Sequence, residues 1–280
     1  MEPVNKVTTV ESLRIALQQL GLNTKGHKPE LKQRYRKALK KQIKEENNDK
    51  EQEIEVEVET NRSKQPFDYY LFFDVEATCE DKCGFSYPNE IIEFPVILVK
   101  SDSFEIVNEY RSYVKPTINS TLSDFCTKLT GITQSTVDQS PTFVEVLNDF
   151  QLFLAKYELF QQSSAAFVTV DGPFDIRDFI TKQCLHSRIK RPAYFDIPWV
   201  NLRKTFKDFY HLKENKNING MLTHLKMEFK GREHSGLDDA RNLALIAQRM
   251  NQEGCVLETN CRFDKKLHQP YQKYRKRYVK

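Results

Sequence analysis

The chain has 280 residues, with 43 Lys or Arg against 39 Asp or Glu, and 39% of its side chains are hydrophobic. That length holds one sizeable domain with its own core and leaves room for a small module or tails. The longest apolar stretches, such as Phe94 to Val99, fall far short of the ~20 residues of a membrane helix, and Met1-Glu2-Pro3-Val4-Asn5-Lys6 has no apolar signal core, so a soluble intracellular chain without a membrane partner is expected.

The formal net charge of +4 is a cancellation between segments. Residues 1–44 carry a net +8, residues 45–60 a net −7, residues 61–261 a net −4 and residues 262–280 a net +7. A mildly acidic middle flanked by two strongly basic ends points toward nucleic acid or another anionic surface. The six cysteines, Cys79, Cys83, Cys126, Cys184, Cys255 and Cys261, form no CxxC pair, which speaks against a thioredoxin motif or a zinc ribbon and for reduced thiols.

In chain order, residues 8–44 predict a helical pair. Thr8 and Glu11 have capping-box spacing, Leu13, Leu17 and Leu20 recur at helical intervals, and Gly21 stops the run. A polar turn follows, then a second helix with Pro29 in its first turn, Leu31, Tyr35 and Leu39 on one face, and a dense set of cations. Gly21 and Gly26 have the spacing of a Walker A loop, but His27 stands where the lysine belongs and no strand precedes it, so a P-loop is excluded. The pattern Leu13, Leu17, Gly21, Leu22, Thr24, Gly26, Lys28, Leu31, Arg34 resembles the SAP motif, a small helix-loop-helix nucleic-acid-binding module. Lys28, Lys32, Arg34, Arg36 and Lys37 are its candidate RNA-binding residues, because like charges crowded on a short helix repel one another unless a polyanion offsets them.

The acidic run from Glu45 reads as a solvated linker over residues 45–66, with the alternative that Ile54, Val56 and Val58 pair as an edge strand. From Asp68 onward strands and helices alternate. Strands are predicted at residues 69–73, 90–100, 104–114, 166–170 and 194–197, and helices at 122–129, 143–159, 174–186, 201–210, 218–227 and 237–251. The implied fold is α/β, a mixed five-stranded sheet with helices on both faces, beside the small helical N-terminal module.

Asp74 and Glu76, two apart at the end of the first strand, are predicted to project from one sheet face. Asp175 follows the strand at 166–170, and His234 and Asp239 open the last long helix. Carboxylates that converge from strand ends and a facing helix repel one another, and hard divalent ions with oxygen ligands are the natural remedy.

Asp74-Val75-Glu76-Ala77-Thr78, Phe174-Asp175 and His234-Ser235-Gly236-Leu237-Asp238-Asp239 resemble the three exonuclease motifs of the DEDDh superfamily, whose fold is RNase H-like. Phe125-Cys126, residues 129–133, Val170-Asp171-Gly172 and Gly254-Cys255 resemble its Eri-type branch (enhanced RNA interference, or histone mRNA 3'-end exonuclease), which joins a SAP module to the catalytic domain. The resemblance implies a SAP-like module at 8–44, an exonuclease domain at 67–256 and a tail at 257–280. It further implies that Asp74, Glu76, Asp175 and Asp239 bind two Mg2+ or Mn2+ ions, with Glu76 and His234 catalytic and His234 the general base. An unperturbed imidazole, with a pKa of about 6.5, suits that task.

Ala77, Phe125, Phe174 and His234 match substrate-contacting positions, although the branch has tryptophan where Phe174 stands, which leaves less area for stacking. Asp171 and Asp238 adjoin ligands and read as supporting or capping groups, while His186, His211, His224 and His268 have no partner at ligand spacing. The implied activity is metal-dependent 3' to 5' trimming of structured RNA: small interfering duplexes with 3' overhangs and 5.8S ribosomal RNA, hence negative regulation of RNA interference. RNA and the ribosome are the implied partners, in the cytoplasm and also the nucleus. Two alternatives stay open from the residues, a DNA 3' to 5' exonuclease and a catalytically silent RNA-binding scaffold. The basic, tyrosine-bearing tail suits RNA contacts, a solubilising tail or a nuclear-import patch equally.

Overall fold

The computed structural model describes residues 9–41, 63–83, 87–170 and 174–263. It divides into two compact units, Met1–Asn61 and Arg62–Lys280. The alternating Ile54, Val56 and Val58, the linker acids, Asp171 and the basic stretch from residue 264 lie outside the described residues.

The first unit is a helical pair. Helix α1 (Val10–Gln19) is capped by Thr9, one residue later than the sequence spacing suggests. Thr9 Oγ1 accepts the Ser12 N–H at 3.1 Å and Ser12 Oγ accepts the Thr9 N–H at 3.0 Å. Serine at the third helical position completes the box because its hydroxyl reaches back as a glutamate would. Gly21, at φ 66°, reverses the chain in the left-handed region where a side chain would be strained. Helix α2 spans residues 28–41. Leu13, Leu17 and Leu31 are fully buried between the two helices, with Tyr35 packed against them.

The second unit is built on one mixed sheet. Strands β1 (Tyr69–Phe73), β2 (Glu76–Ala77), β3 (Ile91–Lys100), β5 (Ala165–Thr169) and β6 (Val200–Asn201) run in the order β2-β3-β1-β5-β6, and β4 (Ile106–Tyr113) pairs with β3. β1 is antiparallel to β3 and parallel to β5, and β5 is parallel to β6. The sheet has one strand more than the five expected, because the chain breaks after Phe73 and re-pairs with β3 through Glu76 and Ala77, with a register shift between them. The predicted strand at 194–197 is instead a 3-10 turn (Ala193–Phe195), and the pairing segment is β6. Tyr194 and Phe195 pack their rings into the core from that turn, so their apolar character marks burial and not a strand.

Period-two alternation on β1 splits the core. Tyr70 and Phe72 face one layer, with Leu202, Phe206, Met221, Leu243, Ile246 and Met250 from helices α7 (Leu202–Phe209), α8 (Ile218–His224) and α9 (Gly236–Gln252). Leu71 and Phe73 face the other, with Phe143, Phe150 and Leu154 of α5 (Phe143–Lys156) and Ile180 of α6 (Ile180–His186). Each such fully buried side chain contributes about 1.5–3 kcal/mol. Two short helices, α3 (Asp124–Thr130) and α4 (Gln134–Asp138), cover Ile92 at the β2 end of the sheet. The segment 174–186, predicted as one α-helix, starts as a π-helical turn (Phe174–Phe179) before α6.

Candidate active site

The acidic residues gather where β1 ends. Asp74 follows β1 directly, Glu76 lies on β2, and Asp239 sits in the first turn of α9. Each offers a carboxylate oxygen, and these three oxygens lie within 4.8 Å of one another. The two strand-end carboxylates are not on one continuous strand as predicted, yet the break between β1 and β2 still delivers both to one spot.

Asp175, in the π-helical turn, is 3% exposed, and its Oδ1 accepts the Val75 N–H at 3.4 Å, so it is held against the same strand end. Asp74, Glu76, Phe174, Asp175, His234 and Asp239 line one cleft of about 250 Å³. Arg203, Asn217, Phe229 and Glu233 share its wall.

Burial governs the electrostatics. Asp239 is pushed up to about 7, first by burial and then by the neighbouring Glu233, Asp238 and Glu93, while the His234 N–H bonded to it pulls the other way. Glu76 is held well above the usual carboxylate range by burial and by repulsion from Asp239, Glu93 and Asp175. Burial and mutual repulsion disfavour the ionised carboxylates of a shared cleft, and a bound cation that replaces their protons relieves both. The donor set is all oxygen, which fits a hard divalent ion such as Mg2+ or Mn2+ and not a thiolate-seeking metal.

His234 opens the approach to α9 without belonging to the helix, in keeping with the predicted helix start at residue 237. It stands two residues before the helix, ahead of the N-cap Ser235, with φ 59°. A left-handed conformation at a residue with a Cβ costs about 1–3 kcal/mol and persists only where the surroundings fix it.

Several groups do so. Asp238 Oδ2 accepts the Arg232 N–H at 3.0 Å, and Asn242, fully buried on α9, bonds Lys230 in both directions at 3.0 and 2.8 Å. Arg232 Nη2 reaches the carbonyls of Lys128 and Leu129 at the end of α3, at 3.0 and 3.2 Å. Asp238 is in turn bridged by Arg241 to Glu109 on β4. Asn242 was legible only as an amide in an apolar stripe of α9, and nothing in the sequence brings Arg232 to α3.

The π-helical turn has its own anchor. Arg191 donates from Nη1 to the Ile176 carbonyl at 2.7 Å and to Thr181 Oγ1 at 3.1 Å, from Nη2 to the Phe195 carbonyl at 2.6 Å, and from Nε to Asp196 at 2.9 Å. A π turn leaves carbonyl geometry that a regular helix would satisfy, and a five-donor guanidinium fills it.

The candidate substrate residues fall in two places. Phe174 lines the cleft and is 41% exposed, and Phe125 on α3 is 39% exposed, so neither is a core residue. Ala77 and Phe125 lie outside the cleft lining. Cys126, the residue after Phe125, ties α3 to Ala77 through its Sγ, which hydrogen-bonds the Ala77 carbonyl at 3.8 Å. In the first unit, Lys28, Lys32, Arg36 and Lys37 are exposed on α2, whereas Arg34 turns its guanidinium onto the Asn23 and Lys25 carbonyls and closes the interhelical turn. Among the described residues all cysteines are free thiols, and no helix is long and apolar enough to cross a membrane.

Comparison with known proteins agrees with this geometry. Residues 71–247 match the exonuclease family model and residues 9–40 the SAP domain model. The 3'-5' exonuclease eri1 of Schizosaccharomyces pombe is 40% identical over 272 residues, covering 90% of each chain. The solved nuclease domain of 3'hExo, a DEDDh family member bound to rAMP, is 40% identical with a TM-score of 0.69, covering 72% of this chain and 100% of that one. A 3'-exonuclease solved in 3'-end-specific recognition of the histone mRNA stem-loop is 37% identical with a TM-score of 0.71, covering 93% of this chain and 86% of that one. With three carboxylates meeting at a strand end beside His234, and with matches that span both units, the chain belongs to the DEDDh exonucleases, in the Eri1-type group that also carries a SAP domain.

Proposed function

We propose that the protein is a metal-dependent 3' to 5' exoribonuclease that trims structured RNA ends. The observation that carries this reading is the meeting of Asp74, Glu76 and Asp239 carboxylates in a cleft shared with Asp175 and His234. Asp74, Glu76, Asp175 and Asp239 would hold two Mg2+ or Mn2+ ions. Such ions, when bound, supply neutralisation of the scissile phosphate and of the oxygens that attack and leave.

The chain's own residues do the rest. His234, at the cleft wall on a loop clamped by Asp238 and Asn242, takes the proton of the attacking water. Phe174 stacks on the terminal base within the cleft, and Phe125 with the Ala77 backbone holds the nucleotide from the adjoining α3 edge. Stacking reads no sequence, which suits removal of successive nucleotides. The exposed cations of α2 hold the phosphate backbone.

The RNA substrate is supported by the ribonucleotide and the RNA stem-loop named for the two solved relatives. The finer proposals are small interfering duplexes with 3' overhangs and 5.8S ribosomal RNA as substrates, negative regulation of RNA interference, contact with the ribosome, and residence in cytoplasm and nucleus. Digestion of matched RNA and DNA strands by purified protein with Mg2+ tests the reading, with Asp74→Ala plus His234→Ala as control. Faster loss of RNA, abolished in the double variant, is expected. Faster loss of DNA overturns the substrate class, and undiminished activity of the double variant overturns the site.

A further inference from the structure

Glu93 is a carboxylate of another kind from those in the cleft. It is fully buried on β3, opposite Glu76 in the β2–β3 pairing, and it does not line the cleft. Its Oε1 accepts Nε–H of Arg111 on β4 at 2.8 Å, and its Oε2 accepts the backbone N–H of Gly236, the first residue of α9, at 3.1 Å. A buried carboxylate is tolerated only when paired and hydrogen-bonded, and both conditions are met. Arg111 itself lies over the Tyr113 ring, 4.5 Å from its centroid.

The place of this bond matters more than its strength. The first N–H groups of a helix have no partner within the helix, and Ser235, at the N-cap of α9, makes no side-chain capping bond. The cap comes instead from across the fold, from β3. Gly236 is also pressed against β1, since a Cβ there would come within 2.4 Å of the Asp74 carbonyl oxygen. The helix carrying Asp239 is thus set against the strand that delivers Asp74, by a group on the strand that pairs with Glu76. Charge assistance makes such a bond roughly twice as strong as a neutral one, and Arg111 pairs with the buried anion at 2.8 Å.

We propose that Glu93 is a positioning residue of the active site, capping α9 from β3 and so fixing Asp239 and the His234 loop against Asp74 and Glu76. The proposal rests on the metal-dependent nuclease reading. Its test compares Glu93→Ala, Glu93→Gln and Gly236→Ala in the full chain, with Asp239→Asn in parallel. The readouts are kcat and KM on a single-stranded RNA, and Mn2+ affinity of the RNA-free protein by electron paramagnetic resonance.

Glu93→Ala is expected to lower kcat and Mn2+ affinity about 10- to 100-fold, in the range for residues that orient metal ligands, with KM unchanged. Glu93→Gln keeps an oxygen for the Gly236 N–H and is expected to stay within about threefold of the parent on both readouts, on the same orienting argument. Gly236→Ala forces a Cβ against the Asp74 carbonyl oxygen, lifting the first residue of α9 from the strand end and from Glu93, and is expected to reproduce the Glu93→Ala pattern, so the test survives if Glu93→Ala does not fold. Wild-type Mn2+ affinity and kcat in Glu93→Ala or Gly236→Ala, or a Glu93→Gln as impaired as Glu93→Ala, overturns the proposal. If Asp239→Asn is also fully active, it is the metal-site reading that fails.

Discussion

Asp238 and Arg232 are joined by a 3.0 Å bond from the Arg232 backbone N–H to the Asp238 carboxylate, and this bond closes the loop that presents His234. Gly231 sits under the same carboxylate at φ 95°, where a Cβ would come within 2.4 Å of it. The left-handed turn at His234 therefore depends on an acid that does not line the cleft. Asp238→Ala is expected to lower kcat about tenfold or more, as loss of an orienting partner does, with Mn2+ affinity little changed because Asp239 keeps its place on α9. Hydrogen exchange over residues 230–235 should rise in parallel. Unchanged kcat would show that the loop holds its shape without this bond.

The raised carboxyl groups give a pH signature in the absence of metal. Unfolded, Glu76 and Asp239 ionise at about 4. Folded, Asp239 keeps its proton up to about 7 and Glu76 is also shifted upward. Between those values the native state binds more protons than the unfolded state, so stability falls as pH rises. The metal-free melting temperature is expected to drop from pH 5 to pH 8, and saturating Mg2+ to reverse the drop by binding the ionised form. A flat metal-free profile, or equal stabilisation by Mg2+ at both pH values, would count against this cluster.

Exposed cations on α2 carry a salt-dependent expectation. Lys32→Glu, Arg36→Glu and Lys37→Glu together should weaken RNA binding and reduce the slope of log affinity against log salt by about 0.7 for each single-strand phosphate left without its cation. Arg34→Ala should act differently, loosening the turn at Asn23 and Lys25 and lowering the melting temperature of the first unit. Titrations at several salt concentrations separate the two, and an unchanged slope in the triple variant would leave those cations without a role in RNA binding.

Much of this site was legible in the sequence because its chemistry sits at element ends. Apolar runs such as Tyr69 to Phe73 and Ala165 to Thr169 declare buried strands, and Asp74, directly after the first, declares where that strand stops. The short strand β2 was not legible, since Glu76 and Ala77 pair only because β3 is long enough to host β1 and β2 along one edge. The Tyr194 segment misled because an apolar run specifies burial and not backbone shape. Glu93, Arg191 and Arg232 were invisible for a common reason. Each acts on backbone groups of another segment, and backbone groups leave no mark on the string of side chains.

The aromatic positions give a graded expectation. Phe174→Ala and Phe125→Ala each remove one stacking surface, worth about 1–3 kcal/mol per base, so KM for RNA should rise at least fivefold in each. Phe174→Trp should lower KM. A Phe125→Ala variant with parental KM would make that ring a bystander on α3.

The π-helical turn at Phe174–Phe179 sets stability against activity. Deleting one residue within it would let the segment wind as a regular α-helix, with better hydrogen bonding and no need for the Arg191 brace. The same deletion would rotate Phe174 and Asp175 by about 100° relative to α6, carrying the acid out of the cleft and the ring off the substrate. Selection for heat tolerance alone would thus tend to erase this irregularity, at the cost of the place that Phe174 and Asp175 hold in the cleft wall.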